Sequence, residues 1–391
     1  MLQLENSTLN KTQSFTAFRG ALRASGVMAF AGLGDAILYP LLPVYGAELG
    51  FSAFFIGALL SINRFVRIIA NTHIANLINR IGMKKMLVTT SILATVTTFM
   101  YGFQLGAIVF LIARILWGLS YSGLKISTLN YASKAKEKSG LAFGLTTAIK
   151  SLGTLSVLFF GSKLIALVGV QKGLFIIASF SAIGIILAYS LPNISSNSKR
   201  VKTKQTFYPS TMNLMVFMLS LTIDGITVVT LSKLIQTSTS MSEVLVVVAS
   251  YLFLKKLFVV VFSIIGGFIS TKIKPNKLFS IAIIFCIVGL FLIVFGYIIT
   301  GIITVFLFNT IVVTFSPLVA IELQKKNKNS LQAISSVSTW WDLGSALGAF
   351  IGIMAIDYLG TQNLFLSLSI VISLLFIIYS IQNAKPNRST L

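Results

Sequence analysis

Apolar residues run along this chain in twelve long stretches divided by short polar turns. They fall at roughly 21–45, 53–76, 86–104, 107–130, 141–168 and 173–191, then 210–236, 243–270, 278–299, 301–323, 331–357 and 361–382. Each approaches the ~20 residues a helix needs to cross a hydrocarbon core, so the pattern predicts an all-α integral membrane protein of twelve transmembrane helices. Lys, Arg, Asp and Glu are absent from the third, sixth, ninth and twelfth stretches and present in the other eight. A charge near the bilayer centre costs at least ~2.5 kcal/mol, so such residues persist mainly where they face a bundle interior or a wet cavity. The eight charged helices are therefore expected to surround an interior, and the four uncharged ones to stand outside them against lipid.

Helical spacing gives the polar residues common faces. Arg114, Gly118, Tyr121, Lys125 and Thr128 recur at intervals of three and four, which places them on one stripe of the fourth span. Ser220, Asp224 and Thr227 share a face of the seventh, and Ser335, Ser338, Asp342 and Ser345 a face of the eleventh. Arg64, Arg67 and Asn71 align in the second, and Lys256, Ser263 and Gly267 in the eighth. Ten charged residues lie deep: Asp35, Asp224 and Asp342 against Arg64, Arg67, Arg114, Lys125, Lys150, Lys255 and Lys256. Seven bases against three acids leave an interior that an anionic ligand would complement, arginine gripping carboxylate or phosphate bidentately and lysine acting as a point charge. Tyr39 and Tyr121, with Asn309, join Arg64, Arg67, Lys125, Lys150, Lys255 and Lys256 as candidate substrate contacts. Lys255 and Lys256 are adjacent and cannot both face one point, so one of them is expected to meet a neighbouring helix. Lys163 and Lys233, near the outer ends of their spans, are expected to snorkel toward headgroups.

Composition and charge then fix class and orientation. Hydrophobic residues make up 55% of the chain and charged ones 10%, with a mean hydropathy of +0.91, which excludes a soluble domain of this size. The net charge of +22 does not form a nucleic-acid patch, because the bases outside the spans fall in short loops. Counted on alternate sides of twelve spans, Lys11, Arg19, Arg23, Arg80, Lys84, Lys85 and the bases of the 134–138, 199–204, 272–277, 325–328 and 385–388 segments share one side. Lys172 alone lies on the other. The positive-inside rule places both termini in the cytoplasm. No cleavable signal is evident, since residues 1–20 lack an apolar core, and the first span is expected to direct insertion. One cysteine, Cys286, and one histidine, His73, leave no basis for a disulfide, a cysteine-rich metal site or a two-histidine relay. No cofactor is expected. A lysine-rich chain with short loops suits a bacterial inner membrane, and a monomer is the default.

The polar stretch 192–209 divides the chain into halves. The organisation expected is a cytoplasmic segment 1–20, a six-helix bundle 21–191, a cytoplasmic linker 192–209, a second six-helix bundle 210–382 and a tail 383–391. At an offset of 191 residues Gly153, Gly161 and Gly169 fall on Gly344, Gly352 and Gly360, and Asp35 meets Asp224 at 189. Parallel halves related across the membrane normal are an expected transporter architecture. Gly144, Gly153, Gly161, Gly344, Gly348 and Gly352 are read as helix-packing positions.

The turn after the second span, with Arg80, Gly82, Lys84 and Lys85, is similar to the signature loop of the major facilitator superfamily, with Ala75 and Asn79 standing where that family has glycine and aspartate. Arg114-Ile-Leu-Trp-Gly118 looks like its fourth-span Arg-x-x-x-Gly motif, and Asp35 followed by Pro40-Leu-Leu-Pro43 resembles the first span of its twelve-span drug and metabolite proton antiporters. Asp342-Leu-Gly344-Ser-Ala-Leu-Gly348 and Gly352 resemble the antiporter glycine pattern. The resemblance covers nearly the whole chain and implies two pseudo-symmetric bundles and alternating access. It also implies a conformational role for the Arg80–Lys85 loop and proton coupling at Arg114. Asp35 is the expected partner of Arg114, with Asp224 and Asp342 the other candidate proton carriers. The function expected is secondary transport of a small anionic organic solute, such as a metabolite or carboxylate siderophore, by proton-coupled export. A multidrug/proton antiporter and a proton-coupled importer stay open as alternatives. A membrane sensor or enzyme lacks any supporting motif, and no ATP-binding loop is visible.

Overall fold

Why should three of the twelve stretches differ from a lone transmembrane helix? The computed structural model, which describes residues 2–46, 48–194, 210–235, 241–323 and 330–384, answers through the order of its helices. Grouped across their breaks, the described helices form twelve segments. The first half comprises Leu2–Ala31 with Leu33–Tyr45, then Ala53–Ile81, Met83–Phe103, Ala107–Ser133, Ser139–Ser156 continued to Val168, and Val170–Ser181 with Ile183–Tyr189. The second half comprises Thr211–Leu219 continued to Leu234, then Met241–Ile269, Pro275–Val294, Ile298–Leu323, and Ser330–Ala384, which breaks at Gly360 into an eleventh and a twelfth segment. Among the described residues eight helices are by themselves long and apolar enough to cross a membrane, and the first pair, bent by 46°, makes a ninth. The remaining three are the second, seventh and eleventh, whose polar stripes neighbouring helices shield; the seventh is apolar but short, its apolar helix running over Thr211–Thr227.

The chain extends its first helix to Leu2, beyond the start expected near residue 21. Ala17 and Gly20 are buried, and the Ser14 hydroxyl donates to the Ala135 carbonyl at 2.7 Å. Packing against the end of the fourth span thus continues a helix that apolarity alone would end sooner. The linker from 195 to 209, the bases at 325–328 and the tail from 385 lie outside the described residues.

The repeat is geometric as well as sequential. Gly169 and Gly360 each begin the last helix of their half at positive φ, 85° and 72°, a conformation in which a Cβ would clash. Gly153 packs on the backbone of Ala29 in the first span, as Gly344 packs on Phe217 in the seventh. At Gly348 a Cβ would lie 2.2 Å from the Leu221 carbonyl oxygen and 3.0 Å from the Gly225 Cα. Backbone cannot step aside as a side chain can, and overpacking costs about 1–3 kcal/mol or more. Gly348→Val is therefore expected to lower the thermal-denaturation midpoint in detergent well below that of Gly161→Ala, whose Cβ meets only the side chains of Val157, Ile37 and Ile177. Equal midpoints would remove Gly348 as a packing position.

The third, sixth, ninth and twelfth segments present exposed apolar residues such as Val96, Ile186, Phe285 and Leu374, as outer helices should. Cys286 is buried in the core of the second half.

Among the described residues, the apolar cores of the two halves meet at one end only. The core toward the basic loops gathers Ala75, Met86, Leu124 and Phe143 with Phe315, Leu318, Leu331 and Ile334 of the second half. The core at the opposite end of the first half, from Ala36 to Ile177, contains no second-half residue. At the basic end Gly144 approaches Gly267 and Ser263, and Asn130 Oδ1 accepts from the Ser330 hydroxyl at 2.8 Å. Among the described residues the halves are therefore packed together toward the basic loops, and toward the other end the absence of shared core leaves a cleft between them.

Candidate functional site

Three carboxylates lie in or beside this cleft, and each has taken one base. In the first half Arg114 is fully buried. Its Nε donates to the Leu59 carbonyl at 2.7 Å, and its guanidinium also pairs with Asp35. Asn63 Nδ2 donates to the same carboxylate at 3.4 Å, and the Tyr39 ring lies 6.0 Å from the guanidinium carbon. The carbonyls of the second span thus hold the arginine fixed, while Asp35, whose side chain is 17% exposed, is the member the cleft can reach.

The second half repeats this with the groups exchanged. Asp224 accepts from Lys255 Nζ at 2.6 Å and from Asn309 Nδ2 at 3.4 Å, and the lysine lies 4.8 Å from the Phe306 ring centroid. In the first half the cation comes from the fourth span and the carboxamide from the second. In the second half the cation comes from the eighth and the carboxamide from the tenth, the repeat counterparts of the second and fourth. Asp224 sits within a π-helical stretch, Ser220–Thr227, a local widening of the backbone that is frequent at functional sites.

The third pair crosses the halves. Arg67 donates to Asp342 Oδ1 at 3.0 Å, Asn71 Nδ2 donates to Oδ2 at 3.3 Å, and the guanidinium stacks 4.6 Å from the Tyr121 ring centroid. Arg67, Asn71 and Asp342 are all buried. Both oxygens of Asp342 are engaged, so this pair ties the second span to the eleventh on the closed side of the cleft.

Among the described residues Arg64, Lys125, Lys150 and Lys256 form no ion pair. They are gathered all the same. Lys256 is near enough to Lys150, Arg64, Lys255 and Asp224 to feel their charge. Lys150 is similarly close to Arg67 and Asp342, and Asp342 to Lys125 and Arg64. The Lys256 side chain is exposed although its helix belongs to the bundle interior, as expected of a residue facing the cleft.

Several site residues thus sit differently from the sequence expectation. Arg67, Lys255 and Asn309, grouped there as substrate contacts, already serve carboxylates. On the second span the buried face is Asn63, Arg67 and Asn71, spaced by four, and Arg64 is only half-buried. At about 100° per residue Arg64 lies close to Asn71 and at the edge of the same face, so the expected alignment of Arg64, Arg67 and Asn71 holds with Asn63 added on its buried side. Asn63 and the Asn130–Ser330 bond were missed, though the four-residue spacing 63–67–71 was a readable signal. The loop residues Arg80 and Lys85 are exposed and Lys84 half-buried around the Gly82 turn, away from the cleft. Lys233 pairs with Asp357, and Lys163 lies 4.3 Å from the Phe159 ring centroid, so only the latter has the form of an unpaired snorkelling lysine.

A family model described as the Major Facilitator Superfamily matches residues 24–326. No curated protein matches the chain by sequence. Among solved structures, the transporter FucP in the outward conformation superposes with a TM-score of 0.74 at 13% identity, over 94% of this chain and 100% of its own. The human organic anion transporter TETRAN gives 0.69 at 14% identity over 94% and 99%. The proton:xylose symporter XylE gives 0.71 at 12% over 96% and 97%. At such identities the likeness is one of fold.

Proposed function

The chain belongs to the Major Facilitator Superfamily, and from that premise we propose that this multi-pass secondary transporter moves a small anionic organic solute by alternating access, coupled to protons and in the direction of export. The solute belongs to the metabolite or carboxylate-siderophore class, and the membrane is a bacterial inner membrane, crossed by a monomer. One observation carries the choice of solute: once Asp35, Asp224 and Asp342 are each paired, Arg64, Lys125, Lys150 and Lys256 form no ion pair among the described residues, Arg64 and Lys150 lying near Lys256 and Arg64 and Lys125 near Asp342. Four uncompensated cations at membrane depth are costly without a ligand of opposite sign, and they repel the cationic drugs a multidrug antiporter would carry. The fold is shared by sugar:proton symporters and by an organic anion transporter, so it does not select the solute; the charge of the cleft supports the anionic reading.

Asp35 is the group placed to couple a proton to this cycle. It is the cleft-accessible member of its pair, and protonation removes the counter-charge of a buried arginine. The network around it would then rearrange, and the Arg67–Asp342 tie would have to release before the basic end opens. In the reverse direction the same parts make a proton-coupled importer, so direction requires a vectorial test.

Purified protein in oriented proteoliposomes, loaded in turn with organic anions, organic cations and neutral sugars under an imposed pH gradient, provides it. Gradient-accelerated movement of anions opposite to the proton flux is the expected result. Movement of cations or sugars with no movement of anions would overturn the proposal, and anion movement along with the protons would establish import.

A further inference from the structure

We propose that a cavity in the first half, at the end opposite the basic loops, holds the headgroup of a phospholipid that bears both a phosphate and a primary ammonium, an ethanolamine lipid of that leaflet. This site is independent of the transport reading. The cavity measures about 370 Å³, within the range of small-molecule sites, and is formed where three spans end. Tyr45 closes the first span, Gln104 caps the third in the left-handed conformation at φ 52°, and Val168 to Lys172 make the turn between the fifth and sixth. Its polar lining is Tyr45, Glu48, Gln104, Gln171 and Lys172.

Charge chooses among lipids. The wall carries one carboxylate, Glu48, and one ammonium, Lys172, both exposed, and among the described residues neither forms an ion pair. Lys172 is also the only base that the sequence places in the loops of this end. An anionic lipid would therefore meet one base and one acid, whereas a zwitterion meets a partner for each of its charges. A primary ammonium donates to the Glu48 carboxylate and to the carboxamide oxygens of Gln104 and Gln171, which a quaternary choline, having no N–H, cannot do. Depth chooses a lipid over a soluble zwitterion. A cavity lined by the ends of spans lies at the level of the headgroups, where the amphipathic ring of Tyr45 is also at home. The exposed side chains of Phe103, Leu105 and Leu167 stand next to Gln104 and Val168 in the chain, on the path that acyl chains would take.

The test places the full chain in phosphatidylglycerol nanodiscs doped with an ethanolamine phospholipid that carries a photoreactive diazirine beside its glycerol, and maps the crosslinks on peptides. Labelling is expected to concentrate on segments 45–49 and 168–172, and unlabelled phosphatidylethanolamine to displace it at no more than about one-fifth of the phosphatidylcholine concentration. Glu48→Gln and Lys172→Gln are each expected to cut the labelling of these segments about fivefold. Lys172→Arg is expected to keep it, and Lys233→Gln, at the outer end of the seventh span in the other half, to leave it unchanged. Equal melting midpoints separate these effects from misfolding, and the displacement ranking in the unaltered protein does not depend on any variant. Labelling spread evenly over outer-helix residues such as Ile186 and Leu374, full labelling in Glu48→Gln, or equal displacement by phosphatidylcholine overturns the inference. Displacement by water-soluble phosphoethanolamine at the same concentration as the lipid would make a free zwitterion the occupant and overturn it for a lipid.

Discussion

Asp35→Asn is expected to abolish proton-driven accumulation, bringing the steady-state concentration ratio to that of a de-energised vesicle, while solute counterflow stays within about threefold of the parent. The reason lies in how Arg114 is held. The arginine is fully buried and keeps its 2.7 Å bond to the Leu59 carbonyl whatever happens at residue 35. An asparagine oxygen can still accept from the guanidinium, so the substitution removes the exchangeable proton more than the architecture. Stripping a buried pair of one partner can cost about 3–5 kcal/mol, and counterflow is therefore the readout that separates loss of coupling from loss of fold. The groups facing Asp35 are Arg114, Asn63, Tyr39, Tyr101 and Arg67, none of which supplies a second carboxylate. Uphill transport that survives in Asp35→Asn and disappears in Asp224→Asn would move the coupling site to the Lys255 pair in the other half.

Gly144→Val is expected to act on the conformational equilibrium. Its Cβ would lie 2.2 Å from the Ser263 oxygen and 2.9 Å from the Gly267 Cα, so relief comes only by parting the fifth and eighth spans. These spans belong to different halves, and parting them opens the basic end. At Gly348, by contrast, the obstructing backbone lies in the same half, and the clash persists whichever way the cleft faces. If the overpacking costs about 1–3 kcal/mol in the closed arrangement alone, the equilibrium shifts about five- to 150-fold. A Ser270→Cys reporter beside Gly140 at the same crossing, in a Cys286→Ser background, reads this out. Its labelling by an impermeant maleimide from the basic-loop side should rise at least about fivefold on adding Gly144→Val. Unchanged labelling with the fold retained would show that this crossing does not gate the cleft.

The interplay of these two sites suggests an order of events. The Arg67–Asp342 tie and the Gly144–Gly267 crossing lie on the closed side, whereas Asp35, Lys150 and Lys256 lie toward the open side. Proton and solute thus reach the cleft before the closed end must yield, which is the order alternating access requires.

The amino-acid sequence alone was enough to determine the class, the twelve segments, the glycine repeat and the excess of base in the interior. Each of these is set by local periodicity or by composition against the bilayer. Only the tertiary structure decided which base neutralises which acid, that Asn63 is buried beside Arg67 while Arg64 is half-buried, and which end of the cleft is shut. Arg67 and Asp342 are 275 residues apart in the chain, and nothing in either helix specifies the other. Their meeting depends on which helices become neighbours and on their rotation, where a single residue of register turns a side chain by about 100°. The four unpaired bases are what remains when that three-dimensional pairing is complete, and they give the excess of charge a location.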